Sequence, residues 1–173
     1  MSASEYGARK NFLIPLIMDT LLLSVLVIIS IFKGFSPAET VILVIIFIPI
    51  LYLCIESLNR KIFVEATGIR IKKLFREKSL RWEDITNLDA MVIRRKVYLL
   101  LTTTKGFHIL TNTYENFTTL VSDIIDHMDE RKVEPKVLEI SEKSLVRRAD
   151  ILAAWIAVAI LVTVITLKLA YGG

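Results

Sequence analysis

The sequence predicts an α+β membrane protein, with three transmembrane helices and one cytoplasmic antiparallel β module that is capped by a C-terminal α-helix. Apolar residues are concentrated in three runs nearly free of charge, at 12–32, 41–55 and 151–167, and the mean hydropathy of the 173 residues is +0.56. The polar segment between the second and third runs alternates first with the period of strands and then with that of a helix. These observations exclude a soluble enzyme of the usual kind.

The three apolar runs are long enough to cross a bilayer, whose core of about 30 Å needs about 20 helical residues. The first exceeds the roughly 7–15 apolar residues of a signal peptide. The second reaches the required length if its helix begins near Pro37, a residue that suits a first helical turn, and ends near Leu58. We therefore expect an N-terminal segment at 1–11, a two-helix transmembrane hairpin at 12–58, and a third span with a short tail at 151–173.

Basic residues flank the three runs mainly on one side, which is the cytoplasmic side of membrane proteins. Only Lys33 lies in the short loop between the first two runs, and the C-terminal tail carries none. We predict an integral protein of the cytoplasmic (inner) membrane, with the N-terminus and residues 59–150 cytoplasmic and the C-terminus outside. The remaining flanking basic residues are Arg9, Lys10, Arg60, Lys61, Lys143, Arg147 and Arg148.

The polar segment 59–132 alternates apolar and polar residues over about six short strands, and this alternation is typical of antiparallel hairpins. From Tyr114 to Met128 the apolar residues recur at steps of three and four, which predicts one amphipathic helix. Asn112 and Glu115 have the spacing of a capping box at its start. Pro135 then interrupts the pattern, and we expect an amphipathic connector at 133–150.

Several stretches of this segment resemble the bacterial PH-like (pleckstrin-homology-like) domain of small membrane proteins. The resemblance implies that Trp82 and Ile85 pack inside where a strand ends and the chain turns, and that the domain acts in binding or assembly rather than in catalysis. A third span after the domain departs from the family pattern. The stretches that carry the resemblance are 67–71, 80–85, the hairpin around Arg94–Lys96, 107–110 and the predicted helix 114–128.

The sequence offers no constellation that catalysis needs, which would be a nucleophile with its base, a carboxylate pair in a cleft or a metal site. His108 and His127 have no second histidine at helical metal-ligand spacing, and Cys54 is the single cysteine. Glu83 and Asp84 are neighbours, so on a strand they point to opposite faces. No glycine-rich phosphate loop occurs. We expect no catalytic residues, no metal, no cofactor and no enzymatic activity.

Charge is polarised along the module: residues 60–105 hold 12 Lys and Arg against 5 Asp and Glu, whereas 106–150 hold 6 against 9. Basic residues near a membrane surface attract anionic headgroups by about 1 kcal/mol each. They suit contact with lipid or with a protein partner, and they are also compatible with ordinary solvated turns. No exposed aromatic platform for nucleic acid is identifiable. The two basic clusters are Lys72, Lys73, Arg76 and Lys78 at one turn, and Arg94, Arg95 and Lys96 at another.

Asp19 lies inside the first apolar run, where a carboxylate is costly and normally faces protein or water. The runs contain no matching cation near it, so we favour a polar contact with another helix or subunit over a role as a proton or ion ligand. Ala153 and Ala157 form a small-residue pair at the spacing suited to close helix packing.

These features together favour a non-enzymatic integral membrane assembly or accessory protein, whose PH-like domain docks protein partners at the cytoplasmic membrane face. The expected partners are membrane lipids and either other membrane protein subunits or a second copy of the chain, with no nucleic acid. One alternative is an anionic-lipid-binding sensor that uses the two basic clusters. A further alternative is a subunit that translocates ions or protons through Asp19.

Overall fold

The computed structural model describes residues 4–34, 36–93, 96–142 and 148–171, which divide into a sheet unit and a helical unit. The sheet unit contains residues 4–9 and the described part of 59–142, and the helical unit contains 10–58 and 148–171. The strands are β1 (Ser4–Gly7), β2 (Lys61–Glu65), β3 (Gly68–Lys73), β4 (Arg76–Arg81), β5 (Ile85–Ile93), β6 (Lys96–Thr103) and β7 (Gly106–Thr111). The helices are α1 (Lys10–Phe32), α2 (Pro37–Asn59), α3 (Phe117–Ile125), α4 (Pro135–Glu142) and α5 (Arg148–Tyr171).

The helical unit consists of α1, α2 and α5, and each of these helices is long and apolar enough to span a membrane. Its helices keep most of their large apolar side chains exposed, as helices do when lipid is the surrounding solvent. α1 packs directly against α5 and contributes most of the buried surface. Its buried residues recur at helical spacing along one stripe: Pro15, Asp19, Leu23, Leu26 and Ser30.

Two polar contacts fix the directions of these three helices. The hydroxyls of Ser30 and Thr40 lie 2.6 Å apart and join the end of α1 to the start of α2. Near the end of α5, the Lys168 ammonium lies 3.4 Å from the Glu39 carboxylate at the start of α2. α1 and α5 therefore run in the same direction, and α2 runs opposite to both.

The sheet unit contains two antiparallel sheets, of order β1-β2-β3-β4 and β5-β6-β7. The inward side chains of alternate strand residues form one core, and α3 and α4 contribute to it because they are amphipathic. Trp82 lies in a short turn between β4 and β5, where it is half-buried, while Ile85 is fully buried. The largest fully buried side chains are those of Ile62, Ile69, Ile85, Leu88, Leu99, Leu101, Leu110, Leu120 and Ile124.

The tight connection between β2 and β3 requires glycine at position 68. Gly68 has φ +157°, and a Cβ atom there would lie only 2.0 Å from the carbonyl oxygen of Leu80 on β4. No side chain can occupy that space, so Gly68 lets β4 approach closely at this end of the sheet. The Thr67-Gly68 turn thus joins β2 to β3 and also allows β4 to lie close beside it.

The structure corrects the expectation that 1–11 is a separate segment. Ser4–Gly7 is the first strand of the sheet unit, and it pairs antiparallel with 61–64. Tyr6 is its buried residue, and the Tyr6 hydroxyl donates a hydrogen bond to the Asp123 carboxylate on α3. Burial and this hydrogen bond both raise the pKa of Tyr6. The sheet unit is therefore interrupted in sequence by α1 and α2, which lie in the connection between β1 and β2.

The helix expected from Tyr114 to Met128 is shorter, because the residues before it make sheet contacts instead. The backbone N–H of Glu115 donates to the carbonyl of Gly7, and that of Asn112 donates to Val97. The predicted capping box is accordingly wrong, and α3 begins at Phe117 after Asn116 in a left-handed conformation with φ +49°.

The sheet unit also extends beyond its expected end at residue 132. Val133 forms a parallel bridge with Leu88 on β5, which covers the outer edge of that strand. Val137 and Ile140 on α4 are buried in the core, at 0% and 5% exposure. Much of the expected connector 133–150 is thus part of the folded unit, because its apolar residues cover a sheet edge that water and other strands would otherwise reach.

Replacing Tyr6 tests whether β1 belongs to the cooperative fold. Tyr6→Phe removes the hydrogen bond to Asp123 and is expected to cost about 1 kcal/mol. Tyr6→Ala also removes the buried ring and is expected to cost about 3–5 kcal/mol. Chemical denaturation of the full chain in detergent, followed by Trp82 fluorescence with Trp155 replaced by Phe, measures both.

Glu5→Gln is the matched control in the same strand, since its ion pair with Lys61 is exposed on both sides and contributes little. An unfolding midpoint that Tyr6→Ala leaves unchanged would mean that β1 is not part of the folded unit.

Candidate functional site

The strand registers place both connections to the helices at one end of the sheet unit. Gly7, the last residue of β1, pairs with Lys61 at the start of β2. α1 begins at Lys10 and α2 ends at Asn59, so the chain leaves for α1 and returns from α2 at this end. We call it the helix-linked end and the opposite end of the strands the far end.

The turn between β3 and β4 lies at the helix-linked end. Lys61 pairs with Lys72, and the last pair before the turn is Lys73 with Arg76. The turn itself contains Leu74 and Phe75, and the Phe75 side chain is 82% exposed. An apolar side chain therefore projects from a turn that basic residues flank on both sides.

The turn between β5 and β6 lies at the same end. The backbone N–H of Arg9 donates to the carbonyl of Thr113, 3.0 Å away, and thus brings the residues after β7 to the end of β1. Asn112 in turn bonds to Val97, next to Lys96 at the start of β6. The last pair before the β5–β6 turn is Ile93 with Lys96. Apolar side chains are again about half exposed beside this turn, at Met91, Val92 and Ile93.

The predicted basic residues of the second cluster are only partly described. Arg94 and Arg95 lie outside the described residues. Lys96 is the first residue of β6, and its ammonium lies 5.5 Å from the centre of the Tyr98 ring, within the range of a cation–π contact.

The structure separates the four residues of the first basic cluster onto two faces of the sheet. Lys73 pairs with Arg76, and Lys78 pairs with Ile71, a residue of the buried face. Because side chains alternate along a strand, these three basic residues share the inward face. Lys72 pairs with Glu77 and belongs to the outward face. The four residues thus do not form one surface.

The inward basic residues line an open cleft of about 460 Å³ between the edge strands β4 and β7. No ladder hydrogen bond joins these two strands, both of which lie wholly within the described residues. At the far end the gap is bridged, since the backbone N–H of Thr104 donates to the carbonyl of Asp84 at 3.2 Å. The cleft lining holds four cationic side chains and no carboxylate: Arg60, Lys73, Arg76 and Lys78, with His108 facing them.

His108 is the residue of the cleft that the sequence analysis did not connect with the basic cluster. It pairs with Leu101 on β6, a fully buried residue, and so belongs to the inward face of β7. Burial lowers the pKa of His108, and repulsion by Lys78 and Lys73 lowers it further. The cationic surroundings of the imidazole thus disfavour its protonated form. His127, by contrast, stacks on Trp82 with ring centres 5.0 Å apart and lies elsewhere.

The other residues singled out from the sequence belong to the helical unit. Asp19 is 7% exposed in α1, and its Oδ1 atom has no hydrogen-bond partner within the described part of the chain. The side chain is thus buried within the helical unit, and its expected contact with another helix or subunit stays a prediction. On α5, Ala153 is exposed, Ala154 and Ala157 are half-buried and Val158 is buried, and the expected close packing through Ala153 and Ala157 stays a prediction.

The chemistry of the cleft is that of anion binding. Within residues 4–34, 36–93, 96–142 and 148–171, no three His, Cys, Asp or Glu side chains gather in a way that would hold a metal ion. The cleft instead presents ammonium and guanidinium groups, which donate charge-assisted hydrogen bonds to oxyanions.

The fold defines an α+β protein in which two antiparallel sheets are joined to three helices of membrane-spanning length. Residues 3–132, well over half of the chain, match a family described as "Family of unknown function (DUF6585)", and the chain belongs to this family. The matched region includes β1, α1, α2 and all remaining strands, and it ends before α4. No curated protein and no solved structure gave a significant match.

The pKa of His108 tests the geometry of the cleft. Lys78→Met removes a repelling charge and is expected to raise the pKa of His108 towards the ordinary value of 6.5. Lys136→Met, on the exposed surface of α4, removes an equal charge and should leave it unchanged. Titration of the ring resonances of the full chain by NMR measures both variants.

The same lowered pKa predicts how stability depends on pH. The unfolded chain takes up a proton at His108 near pH 6.5, before the folded chain does, so folding stability falls as the pH drops below that value. In His108→Gln this contribution disappears. An equal pKa of His108 with and without Lys78 would contradict the placement of these residues in one cleft.

Proposed function

We propose that the chain is a non-enzymatic membrane protein of PH-like architecture whose helix-linked end contacts anionic lipid headgroups. The observation that carries this proposal is the position of the β3–β4 turn and of the neighbouring ends of β5 and β6. The β3–β4 turn, with Phe75 and its flanking basic residues, and the last described pair of β5 and β6, Ile93 with Lys96, lie at the end from which the chain enters α1 and returns from α2.

The composition of these turns supports a membrane surface as the partner. Headgroups of anionic lipids attract lysine and arginine, and the interface below them accommodates large apolar side chains. Phe75 lies between Lys73 and Arg76 in the β3–β4 turn, and Ile93 on β5 pairs with Lys96 on β6. A turn that serves only as a solvated connection has no need of a phenylalanine that is 82% exposed.

Chain connectivity supports the same placement. Only Ala8 and Arg9 separate β1 from α1, and only Arg60 separates α2 from β2. We infer that α1, α2 and α5 cross the membrane, with the sheet unit on the cytoplasmic side that the basic flanks indicate. The parallel directions of α1 and α5 suit this arrangement, because their N-terminal ends then lie on the same side.

The docking of a protein partner, which the sequence analysis preferred, stays a prediction with one structural observation in its favour. Phe107 and Ile109 on the outward face of β7 are 68% and 48% exposed, and β7 is an edge strand. Such a strand can accept the strand of a partner. Extraction in mild detergent followed by native sizing tests it, and a fixed stoichiometry with defined membrane subunits is the expected result.

No further observation among the described residues favours the alternative in which Asp19 translocates ions or protons.

A charge reversal at each end of the sheet unit tests the lipid proposal. Full-length protein is reconstituted in nanodiscs of mixed phosphatidylcholine and phosphatidylglycerol, and native mass spectrometry measures the retained lipids. Lys72→Glu, beside the β3–β4 turn, is expected to lower the enrichment of phosphatidylglycerol about fivefold or more, since each basic residue near the surface contributes about 1 kcal/mol.

Lys105→Glu is the matched control, because it makes the same charge change in the β6–β7 turn at the far end. High salt should weaken the enrichment in the unmodified chain, as screening does for exposed charges. Equal losses in the two variants, or an enrichment that neither variant changes, would refute contact through the helix-linked end.

A further inference from the structure

Three basic residues lie at inward positions of β3 and β4, where the alternation of the strands predicts apolar residues. Along β3 the inward positions are Ile69, Ile71 and Lys73, and along β4 they are Leu80, Lys78 and Arg76. The first members of each series belong to the core, and the cations continue the same face into the cleft. Such departures from the pattern are expected where a protein has a functional site.

The arrangement of these cations is unfavourable without a ligand. Lys73 and Arg76 are direct cross-strand partners, and like charges at such positions repel each other. None of Lys73, Arg76 and Lys78 has a carboxylate within 4.0 Å in the part of the chain that the structure describes. The acid nearest in sequence, Glu77, points to the opposite face and pairs with Arg70. Opposite charge from outside the sheet unit would relieve this repulsion.

We propose that the cleft between β4 and β7 is a binding site for a phosphomonoester group, held by Lys73, Arg76 and Lys78 with His108 beside them. A phosphomonoester carries about −1.5 to −2 charges at pH 7 and three acceptor oxygens. That charge suits a lining of several cations better than a carboxylate or a phosphodiester does. Arg76 supplies the forked donors that match phosphate oxygens, and the lysines supply point charges.

The size and polarity of the cleft agree with this ligand. Its volume of about 460 Å³ is within the range of about 300–1,000 Å³ for small-molecule sites. The Thr111 side chain and the buried Tyr114 contribute to the lining next to the cations. The group could belong to a lipid headgroup or to a soluble phosphate compound. Arg60 lines the cleft and directly follows α2, which favours the lipid source.

This site goes beyond the proposed membrane contact: Lys73 and Arg76 flank the turn that takes part in that contact, whereas Lys78 and His108 lie farther along the inward face, in the cleft. The two can therefore fail separately. Lys72, on the outward face, tests the membrane contact, whereas Lys78, on the inward face, tests the cleft.

Two probes distinguish the sources of the phosphate group. In the first arm, inorganic phosphate is titrated into full-length protein in neutral phosphatidylcholine nanodiscs, and the His108 ring resonances report binding. In the second arm, the discs contain either phosphatidate, which has a phosphomonoester headgroup, or phosphatidylglycerol, which has a phosphodiester. Native mass spectrometry then measures which lipid the protein retains.

We expect a saturable shift of His108 with inorganic phosphate and a preference for phosphatidate over phosphatidylglycerol. Lys78→Met should weaken binding about tenfold or more, as the loss of a charge-assisted hydrogen bond does. Lys72→Met should change it by less than about twofold. Arg76→Gln, at an exposed position, is a second variant if Lys78→Met lowers the thermal stability.

A response to phosphatidate alone supports the site with a lipid ligand, and a response to inorganic phosphate alone supports it with a soluble one. The proposal is overturned if neither probe produces a saturable response, or if Lys72→Met weakens binding as much as Lys78→Met does.

Discussion

The pairing of β1 with β2 is the interaction on which the rest of the structure depends. Four residues at the N-terminus complete a sheet whose other strands begin at Lys61, after two long helices. The helices are thereby closed into a loop that starts and ends at one edge of the sheet unit. Closing a loop of this length costs conformational entropy, which the burial of Tyr6 and its hydrogen bond to Asp123 help to offset. The direction of every later strand of that sheet relative to β1 follows from this register.

A consequence of that register is the concentration of charge and exposed apolar surface at one end. Antiparallel strands alternate in direction, so turns at one end recur with every second strand. In this chain the β3–β4 turn and the adjoining ends of β5 and β6 lie at the helix-linked end, and basic and apolar residues occur at both places. At the far end, the turn around Thr67 carries no large exposed apolar side chain among the described residues, whereas Phe107, two residues after Lys105, is 68% exposed. The cleft between β4 and β7 contributes additional cations on the inward face, where no acid from the described residues balances them.

Hydropathy predicted the three long helices, because spans of about 20 apolar residues leave few other interpretations. The alternation of apolar and polar residues predicted most strands of the sheet unit, because this pattern is typical of antiparallel hairpins. β1 was missed since a four-residue strand with one buried side chain carries no periodicity, and its partner lies more than fifty residues away. The start of α3 was misplaced because residues 112–115 pair with other backbone segments, which is a tertiary effect.

The sequence analysis predicted the candidate site only in part. The separation of its basic residues onto two faces could have been inferred from the sequence, but it was not. Lys73 has the same strand parity as Ile69 and Ile71, so alternation alone would have separated it from Lys72. The approach of His108 to Lys78 was not available, since it depends on how two sheets with no shared hydrogen-bonded pair are placed side by side.

The most direct test of the account is the depth of Phe75 in a bilayer, measured by spin-label accessibility in nanodiscs that contain anionic lipid. Labels are attached at Phe75→Cys and, in a second protein, at Ala66→Cys in the far-end turn, both after Cys54→Ala has removed the single native cysteine. The two positions differ by about 20 Å along the strands. The account predicts that the label at position 75 is accessible to oxygen dissolved in the membrane, while the label at 66 is accessible to a water-soluble relaxation agent. Equal exposure of both labels to water would contradict it.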